Sequence, residues 1–397
     1  MPSLKSAHRG MSSSLAGLEE AAYGRTRRPI VRAAAWRVRL PLRLPVVTAN
    51  RTLRIRDGAV VLLQDAEGQA GWGEALPLAG FGRPRWRALA PALSECLAAA
   101  VGRLPAEAIS TLQTLPVRDA TGAAAVFATE AAALDLLAQQ AGVPLRELFS
   151  PRPADTVAVN ALLIGDTPPE VAASAERAWQ EGYQAVKLKV GGRALEADLA
   201  RVRAARAALG PTVALRLDAN GAWSESEAAR ALERLAEFGI DYIEQPLPPG
   251  DLAALARLRA SRIVPIAADE GASSLEDVEE LLAAQAVDVL VLKPAVLGGL
   301  LAVRRAAHAA AAAGVRAVLT SALEGSIAVV AAAQLAGALP DRQVAHGLAT
   351  LSLLARDVTE RPPAIVRGRL VLSDEVGLGV KPAPRAVAGR PFVEVRA

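Results

Sequence analysis

Residues 213–247 read VALRLDANGAWSESEAARALERLAEFGIDYIEQPL, and this stretch shows the pattern that decides the fold. A short apolar run ends in Asp218, an amphipathic helical segment follows, and a second short apolar run ends in Glu244. The same alternation continues in both directions from this unit. The chain contains eight such runs: VAVNALLIG (157–165), AVKLKVG (185–191), VALRLDANG (213–221), DYIEQPL (241–247), VPIAADEG (264–271), VDVLVLKPA (287–295), RAVLTSALEG (316–325) and VAHGLAT (344–350). Eight alternating strand and helix units predict an α/β fold of the (β/α)8-type barrel class.

The residues before the barrel follow a different pattern. Residues 31 to about 75 alternate as strands do, with a hairpin around Asp65 to Gly68, and the segment from Trp86 to about Leu148 is Ala- and Leu-rich and helical. This part has too few strands for a barrel and predicts a separate α+β domain. We expect a flexible N-terminal extension at 1–30, an α+β domain at 31–155 that is completed by about 370–397, and a catalytic barrel at 156–369.

Composition excludes several classes of function. The chain has 397 residues, of which 52% are hydrophobic and 22% are charged, and its net charge is only +4. No basic block is interleaved with aromatic residues, so we expect no nucleic-acid partner. No uncharged apolar run reaches about 18 residues, so we expect no membrane partner. The single cysteine, Cys96, excludes internal disulfides and favours the cytoplasm.

Charged residues stand at the carboxyl ends of consecutive predicted strands, where barrel enzymes carry their active sites. These residues are Lys187, Lys189, Asp218, Glu244, Asp269 and Lys293. Successive intervals from Asp218 onward are 26, 25 and 24 residues, about the length of one strand and helix unit. Three carboxylates on neighbouring strands form a hard oxygen-ligand set, which favours Mg²⁺ as the cofactor and Mn²⁺ as the second choice. The other interpretation of each carboxylate is a buried ion pair.

The lysines flank this predicted metal site on both sides. Lys187 and Lys189 are two residues apart on one strand and therefore share a face, whereas Lys293 ends the strand on the far side of the carboxylates. Neighbouring ammonium groups and a divalent cation lower the pKa of a lysine toward the range that a general base needs. The arrangement predicts abstraction of a proton next to a carboxylate, with the metal stabilising the enediolate. We therefore expect a small anionic carboxylate as substrate.

In order and spacing, the motifs resemble the enolase superfamily in its muconate-lactonizing subgroup. They are KLK (187–189), LRLDANGAW (215–223), YIEQPL (242–247), IAADE (266–270) and VLKPAVLGG (291–299). The resemblance implies that the α+β domain is a capping domain and that Asp218, Glu244 and Asp269 ligate Mg²⁺. It implies that Lys189 is the base, that Lys293 lies on the opposite face of the enolate, and that Lys187 supports Lys189. It also implies that Asn220, Gln245 and Glu270 hold the ligands in place.

The segments TSALEGSIAVVAAAQLAGAL (320–339), VAHGLATLSLLARDV (344–358) and GWGEALPLAGFG (71–82) are most similar to the o-succinylbenzoate synthase family, a group of carbon–oxygen lyases in menaquinone biosynthesis. This similarity implies a dehydratase acting on a cyclohexadiene carboxylate with a hydroxyl group and a succinyl tail. The mouth of the barrel, at the carboxyl ends of its strands, would then be lined by Ser321, Glu324 and Gly347. Arg51 lies in a stretch that we expect to be a loop, together with Arg43, Thr48 and Arg54. The positively charged residues of this loop would close over an anionic substrate.

Three other functions stay open. An N-acylamino acid racemase needs a lysine on each face, and Lys189 and Lys293 meet that need. A muconate cycloisomerase is the third choice, and an inactive barrel that serves as a binding module is the non-enzyme choice. Dipeptide epimerases rank low because the eighth run reads HGLAT at 346–350 and offers no carboxylate to an amino terminus. The oligomeric state is open, with a homo-oligomer as one option. His346 is expected to be a packed side chain.

Overall fold

The computed structural model describes residues 28–48, 51–78 and 86–397, and at 46–48, 51, 86 and 87 only the backbone. The predicted N-terminal extension lies outside this range except for its last residues. Within the described chain, an antiparallel sheet with three helices precedes a ring of parallel strands and helices.

The first domain is built on a four-stranded antiparallel sheet in the order β14-β1-β2-β3. Its strands are β1 (Ile30–Thr48), β2 (Arg51–Asp65), β3 (Ala70–Ala75) and β14 (Val393–Arg396). The helices are α1 (Trp86–Ala100), α2 (Pro105–Leu112) and α3 (Ala120–Ala141). The hairpin expected around Asp65 to Gly68 connects β2 to β3, and Gly68 adopts a φ of 85° there.

Helix α3 lies on this sheet at unusually short range. A Cβ atom at Gly71 would lie 2.0 Å from the backbone oxygen of Ala132, and one at Gly73 would lie 1.8 Å from that of Ala128. Glycine at both positions therefore permits the contact. The helix is apolar and long enough to cross a membrane, but nearly all of that apolar stretch is buried within the protein, as expected for a core helix. Asp119 caps its first turn by accepting from the amides of Thr121 and Gly122.

Seven parallel strands form the barrel wall in sequential order, as the alternating pattern predicts. They are β5 (Ala161–Leu163), β6 (Ala185–Lys189), β7 (Ala214–Asp218), β8 (Ile240–Glu244), β9 (Ile266–Ala268), β10 (Val289–Leu292) and β11 (Arg316–Leu319). Their helices are α4 (Pro168–Gln180), α5 (Leu195–Leu209), α6 (Glu225–Leu235), α7 (Leu252–Ala260), α8 (Leu275–Ala283), α9 (Pro294–Leu297), α10 (Leu300–Ala312) and α11 (Ser326–Ala336).

The eighth run differs from its prediction as a strand. It closes the ring through two single parallel bridges, Val159 to His346 and Thr320 to Gly347. The backbone of Gly347 donates to Leu319, and its oxygen accepts from the amide of Ser321 at 3.2 Å and from the hydroxyl of Thr320 at 2.9 Å. A Cβ atom at Gly347 would lie 2.3 Å from that hydroxyl oxygen, and the close approach therefore needs glycine.

The chain after the barrel returns to both domains. A small sheet in the order β12-β13-β4 joins β4 (Thr156–Ala158), β12 (Ile365–Val366) and β13 (Arg369–Val371), and β14 then pairs antiparallel with β1. Short 3₁₀ turns lie at Leu145–Leu148, Ala236–Phe238, Leu351–Leu353 and Pro384–Ala386. The domain boundaries given above stay predictions.

The stretch around Arg51 corrects one expectation. Residues Arg43 to Arg54 were expected to be a loop, but Pro41 pairs with Ile55, and Thr48 pairs with Arg51 after a shift in register. The segment is the end of a long β1–β2 hairpin, because residues on both sides continue the cross-strand bonding. Arg43 donates to the backbone oxygen of Ser352 at 3.1 Å, which holds the hairpin against the end of the barrel.

Candidate active site

The charged residues predicted from the strand ends are brought together in space. Lys189 pairs in register with Asp218, and Asp218 pairs with Glu244, so three neighbouring strands place their last side chains at one level. Asp269 and Lys293 follow β9 and β10 directly. Because the strands are parallel, all of these side chains lie at the carboxyl-terminal mouth of the barrel.

Lys187 bridges two of the carboxylates. Its Nζ lies 2.8 Å from Glu244 Oε1 and 3.2 Å from Asp218 Oδ2. Burial alone lowers the pKa of Lys187, but the charges of Asp218, Glu244 and Asp269 outweigh this and raise it well above its usual value. Lys187 is therefore a permanent cation in this arrangement.

Lys189 is the most accessible of the three lysines, with 33% of its side chain exposed. Its Nζ donates to Asp218 Oδ2 at 3.0 Å and also contacts Asn220 Oδ1. Lys293, on the other side of the carboxylates, donates to Asp269 and is buried. Lys189 and Lys293 thus approach the cluster of three carboxylates from opposite sides.

The pKa values of two of the carboxylates, Asp218 and Glu244, are shifted in opposite directions. Burial would raise the pKa of Asp218, but the ammonium groups of Lys187 and Lys189 hold it below its usual range. Burial raises the pKa of Glu244, and the charges of Asp218 and Asp269 raise it further despite Lys187. The three carboxylates of the mouth are therefore not equivalent: the lysines favour the ionised form of Asp218, whereas burial and its acidic neighbours favour the protonated form of Glu244.

Three polar side chains, Gln245, Asn220 and Glu270, lie around these carboxylates. Gln245 Oε1 accepts from the backbone amides of Asp269 and Gly271, both at 3.0 Å, which fixes the end of β9. Asn220 donates from Nδ2 to Glu270 Oε1 at 3.1 Å, and its own amide donates to Asp218 Oδ1 at 3.0 Å. The other oxygen of Glu270, Oε2, is buried and has no hydrogen-bond partner among the residues that the structure describes.

The donor set fits a hard divalent cation. In the part of the chain that the structure describes, no three His, Cys, Asp or Glu side chains form a ready metal cluster, because ammonium groups lie between the carboxylates. The chemistry nevertheless suits Mg²⁺: three carboxylates on adjacent strands, a raised pKa at Glu244 and a buried oxygen of Glu270 without a partner. Asp218, Glu244 and Asp269 would hold the ion.

The structure gives different positions to the other residues that the sequence predicts at the mouth. Ser321 shares a hydrogen bond with Thr350 at 2.7 Å between their hydroxyl oxygens, across the junction of the seventh and eighth runs. Gly347 uses its backbone to close the barrel. Arg51 belongs to β2, and its side chain lies outside the described residues. Their roles toward a substrate stay predictions.

Glu324 is buried beside an arginine that the sequence did not single out. It accepts from the amide of Ala322, and burial raises its pKa against the opposing charge of Arg56. Arg56, from β2, donates to the backbone oxygens of Leu76 at 2.6 Å and Leu323 at 3.3 Å. The hairpin of the first domain therefore holds the mouth loop that carries Glu324.

A second missed pair lies behind Lys189. Arg201 and Asp198 form a buried ion pair at 2.7 Å, and Arg201 donates to the backbone oxygens of Lys189 and Gly165, both at 3.0 Å. Asp198 accepts from the amide of Gly191 at 2.7 Å. The sequence offered one signal: opposite charges three residues apart, on the same face of the helix as the apolar Val202, Ala205 and Leu209.

Two weaker candidates have structural roles. His346 is buried, and its Nδ1 accepts from the amide of Leu319 at 3.0 Å, while burial lowers its pKa to about 3. This is the packed position that the sequence predicts. Arg216 pairs with Asp241 at 2.9 Å and lies 4.9 Å from the ring of Tyr242, on the side of the barrel away from the mouth.

Both domains match known families. Residues 30–150 match the family described as "Mandelate racemase / muconate lactonizing enzyme, N-terminal domain". Residues 170–386 match the family described as "Enolase C-terminal domain-like".

Relatives include an o-succinylbenzoate synthase of Thermobifida fusca, 36% identical over 332 residues, which cover 82% of this chain and 84% of the relative. An N-succinyl-L-Arg/Lys racemase of Bacillus cereus is 29% identical over 295 residues, which cover 73% of this chain and 79% of the relative.

Solved structures agree with this relationship. The muconate lactonizing enzyme of Pseudomonas fluorescens complexed with muconolactone has a TM-score of 0.84 at 30% identity, with coverage of 91% of this chain and 98% of that one. A dipeptide epimerase of Enterococcus faecalis complexed with Mg and a dipeptide has a TM-score of 0.82 at 27% identity, with coverage of 89% and 99%. Because both of its domains match the models of this family and its strand-end residues follow the expected order, the chain belongs to the enolase superfamily.

Proposed function

We propose that this protein is a Mg²⁺-dependent dehydratase of the o-succinylbenzoate synthase type. It converts 2-succinyl-6-hydroxy-2,4-cyclohexadiene-1-carboxylate to o-succinylbenzoate and water. The observation that carries the proposal is the position of Lys189, an accessible amine 3.0 Å from Asp218 at the edge of a buried carboxylate cluster. The chemistry needs a base at this place, next to the point where a carboxylate substrate would bind.

Each lysine has a separate role in this proposal. Lys189 takes the proton from the carbon that carries the substrate carboxylate. Lys187 stays cationic between Asp218 and Glu244 and keeps these side chains in place. Lys293 faces the substrate from the other flank. A bound Mg²⁺ would supply electrophilic stabilisation of the negative charge that develops on the substrate carboxylate.

The second step breaks a carbon–oxygen bond. The electron pair left by proton removal forms the new ring double bond, and the neighbouring hydroxyl group leaves. Lys189, now protonated, returns the proton to this hydroxyl, so the products are an aromatic ring and water. Aromatisation favours this step, and a single face of the substrate then suffices for both proton transfers.

The composition of the eighth run argues against a cationic amino group on the substrate. Residues 346–350 read HGLAT and contribute no carboxylate, so a cationic amino group would have no charged partner at this run. The relative from Thermobifida fusca has the proposed activity by its name, at 36% identity. Cytoplasmic location and a homo-oligomeric state stay predictions.

A second candidate is an N-succinylamino acid racemase, which rests on a specific observation. Lys189 and Lys293 approach the carboxylate cluster from opposite flanks, and a racemase needs an acid and a base on opposite faces of one carbon. The racemase of Bacillus cereus is a relative at 29% identity. One site can serve both reactions, because both begin with removal of a proton next to a carboxylate.

The test is the loss of diene absorbance when the purified protein meets the cyclohexadiene substrate, with Mg²⁺ and with EDTA. We expect fast loss with Mg²⁺, at least about 100-fold slower loss with EDTA, and recovery when Mg²⁺ is added back. No loss of absorbance, together with racemisation of N-succinylamino acids by polarimetry, would overturn the dehydratase in favour of the racemase. Lactonisation of muconate would favour a cycloisomerase, and metal binding without any turnover a binding module.

A further inference from the structure

Glu130 is a buried carboxylate that the proposed reaction does not use. It lies in α3 of the first domain and is 1% exposed. Its Oε2 accepts from the backbone amides of Leu300 at 2.5 Å and Leu301 at 3.3 Å, and Gln113 donates to its Oε1 at 3.4 Å. None of the ion pairs in the described part of the chain includes Glu130.

The two amides belong to the first turn of α10 in the other domain. The first amides of a helix have no partner within the helix, and the positive end of the helix dipole favours a carboxylate there. Gly299 precedes them with a φ of 141°, and a Cβ atom at this residue would lie 2.4 Å from Glu130 Oε2. The backbone is therefore shaped to receive this side chain.

The segment between these amides and Lys293 is short and internally bonded. The backbone oxygen of Lys293 accepts from the amides of Val296 at 3.0 Å and Leu297 at 2.9 Å. That of Pro294 accepts from the amides of Gly298 at 3.1 Å and Gly299 at 3.0 Å. These bonds leave little slack, so a shift of the start of α10 would reach Lys293.

We propose that Glu130 is a positioning residue for Lys293: by capping α10 from the first domain, it fixes the connection that carries this lysine into the mouth. The inference rests on the proposed function only in assigning to Lys293 one face of the substrate. A carboxylate on one domain thus sets the geometry of a lysine on the other.

Asp135 provides a matched control on the same helix. It is also buried, and it accepts from the backbone amides of Trp72 at 2.9 Å and Leu378 at 2.7 Å. These backbone partners belong to the first sheet and the C-terminal segment and not to the 293–301 segment, and the side chain of Gln139 on the same helix also donates to Asp135 at 3.0 Å. Replacement of either acid by leucine leaves two buried amides without a partner, so both changes carry a comparable cost in stability.

The experiment measures exchange of the α-hydrogen of each enantiomer of N-succinylphenylalanine in D₂O by proton NMR. Lys293→Ala identifies the enantiomer that depends on Lys293. We expect Glu130→Leu to slow exchange of that enantiomer about tenfold and of the other less than about twofold, since an ångström-scale displacement impairs only the displaced group. Asp135→Leu should affect both enantiomers equally, and Glu130→Gln, which keeps an acceptor for Leu300, should restore most of the selective loss.

Equal slowing of both enantiomers by Glu130→Leu, or the same selectivity in Asp135→Leu, would overturn the proposal. If Glu130→Leu does not fold, Glu130→Asp withdraws the oxygen by one methylene and is held to the same criterion. If the wild-type protein exchanges neither enantiomer, the racemase part of the proposed function fails independently. Amide hydrogen exchange of residues 293–301 then decides: protection lost in Glu130→Leu but kept in Asp135→Leu supports the positioning role, and unchanged protection refutes it.

Discussion

The two ends of the barrel both concentrate charge, but they do so in different ways. At the base, Arg216 and Arg316 share Asp241 at 2.9 and 2.8 Å, and both guanidinium groups lie against the ring of Tyr242. At the mouth, three lysines meet three carboxylates on neighbouring strands. At the base of the barrel, two arginines neutralise the charge of Asp241. At the mouth, in contrast, the pKa of Glu244 stays raised.

Cavity volume alone would favour the other end. A cleft of about 900 Å³ lies at the base of the barrel beside Arg259, Asp288 and Arg316. Two of the three arginines that line it are already paired, Arg259 with Asp288 at 2.9 Å and Arg316 with Asp241. We propose the mouth as the place of the reaction because proton abstraction needs an accessible basic group beside buried carboxylates, and of the two ends, as far as the described residues extend, it is the mouth that combines them.

The largest effect is expected at the mouth. Lys189→Ala should lower kcat for the proposed dehydration by about 1,000-fold or more, because the group that moves the proton is lost. Steady-state kinetics with the cyclohexadiene substrate measure the change, and circular dichroism verifies the fold. The matched change at the base, Arg316→Ala, removes a charge of the same sign and should keep kcat within about twofold. A comparable loss in both variants would contradict the division between the two ends.

At the base of the barrel, a substitution should lower the free energy of unfolding more than a substitution at the mouth does. Arg216→Met removes donors from Asp241, from the side-chain oxygen of Asn160 and from the backbone oxygen of Ala345. We expect the free energy of unfolding to fall by about 2–3 kcal/mol, since two buried acceptors lose their partner while Asp241 keeps Arg316. Urea denaturation measures this loss, and Lys189→Ala is the control that should change stability less.

The smallest effect concerns pH and a buried carboxylate between the domains. Glu74 is fully buried and accepts from the amides of Gly325 and Ala328 at the start of α11. Burial raises its pKa to about 8, and the charges of Asp357 and Glu324 add to this against the two amide bonds. The folded protein therefore keeps a proton that the unfolded chain loses above its ordinary value of 4.5.

The sign follows from this difference in bound protons. The stabilisation is complete below about pH 4.5 and is lost as the pH rises through about 8, so Tm should fall by a few degrees between about pH 5 and 8. Glu74→Gln should reduce this slope. The part that remains belongs to the other buried acids whose pKa values are raised, among them Glu244 to about 8, Glu130 to about 7 and Asp135 to about 6. A slope that is identical in wild type and variant would contradict the assignment to Glu74.

Much of the barrel follows from the sequence because its signals are local. A strand that ends in Asp218 and another that ends in Glu244 can be identified from apolar runs and the helical pattern between them. Regular spacing of the charged residues then places them at one level, since parallel strands in a barrel share one mouth. The order of the seven strands and the meeting of Lys187, Lys189 and Lys293 with the carboxylates agree with this prediction.

Other features depend on contacts between residues far apart in the chain, which periodicity does not report. The long hairpin around Arg51, predicted as a loop, exists because its two strands pair with each other and Arg43 binds Ser352, 309 residues away. The eighth run closes the barrel through single bridges with residues distant in the chain, Val159 and Thr320.

By itself, the sequence determined which residue types stand at the strand ends and in what order. Only the tertiary structure decided which buried acids are paired with lysines and which cap a helix of the other domain. Glu130 and Glu244 look alike as letters, yet one meets two backbone amides and the other meets Lys187. The difference is physical: a carboxylate takes its role from the donors that packing brings within about 3 Å, and those donors lie on other elements of the chain.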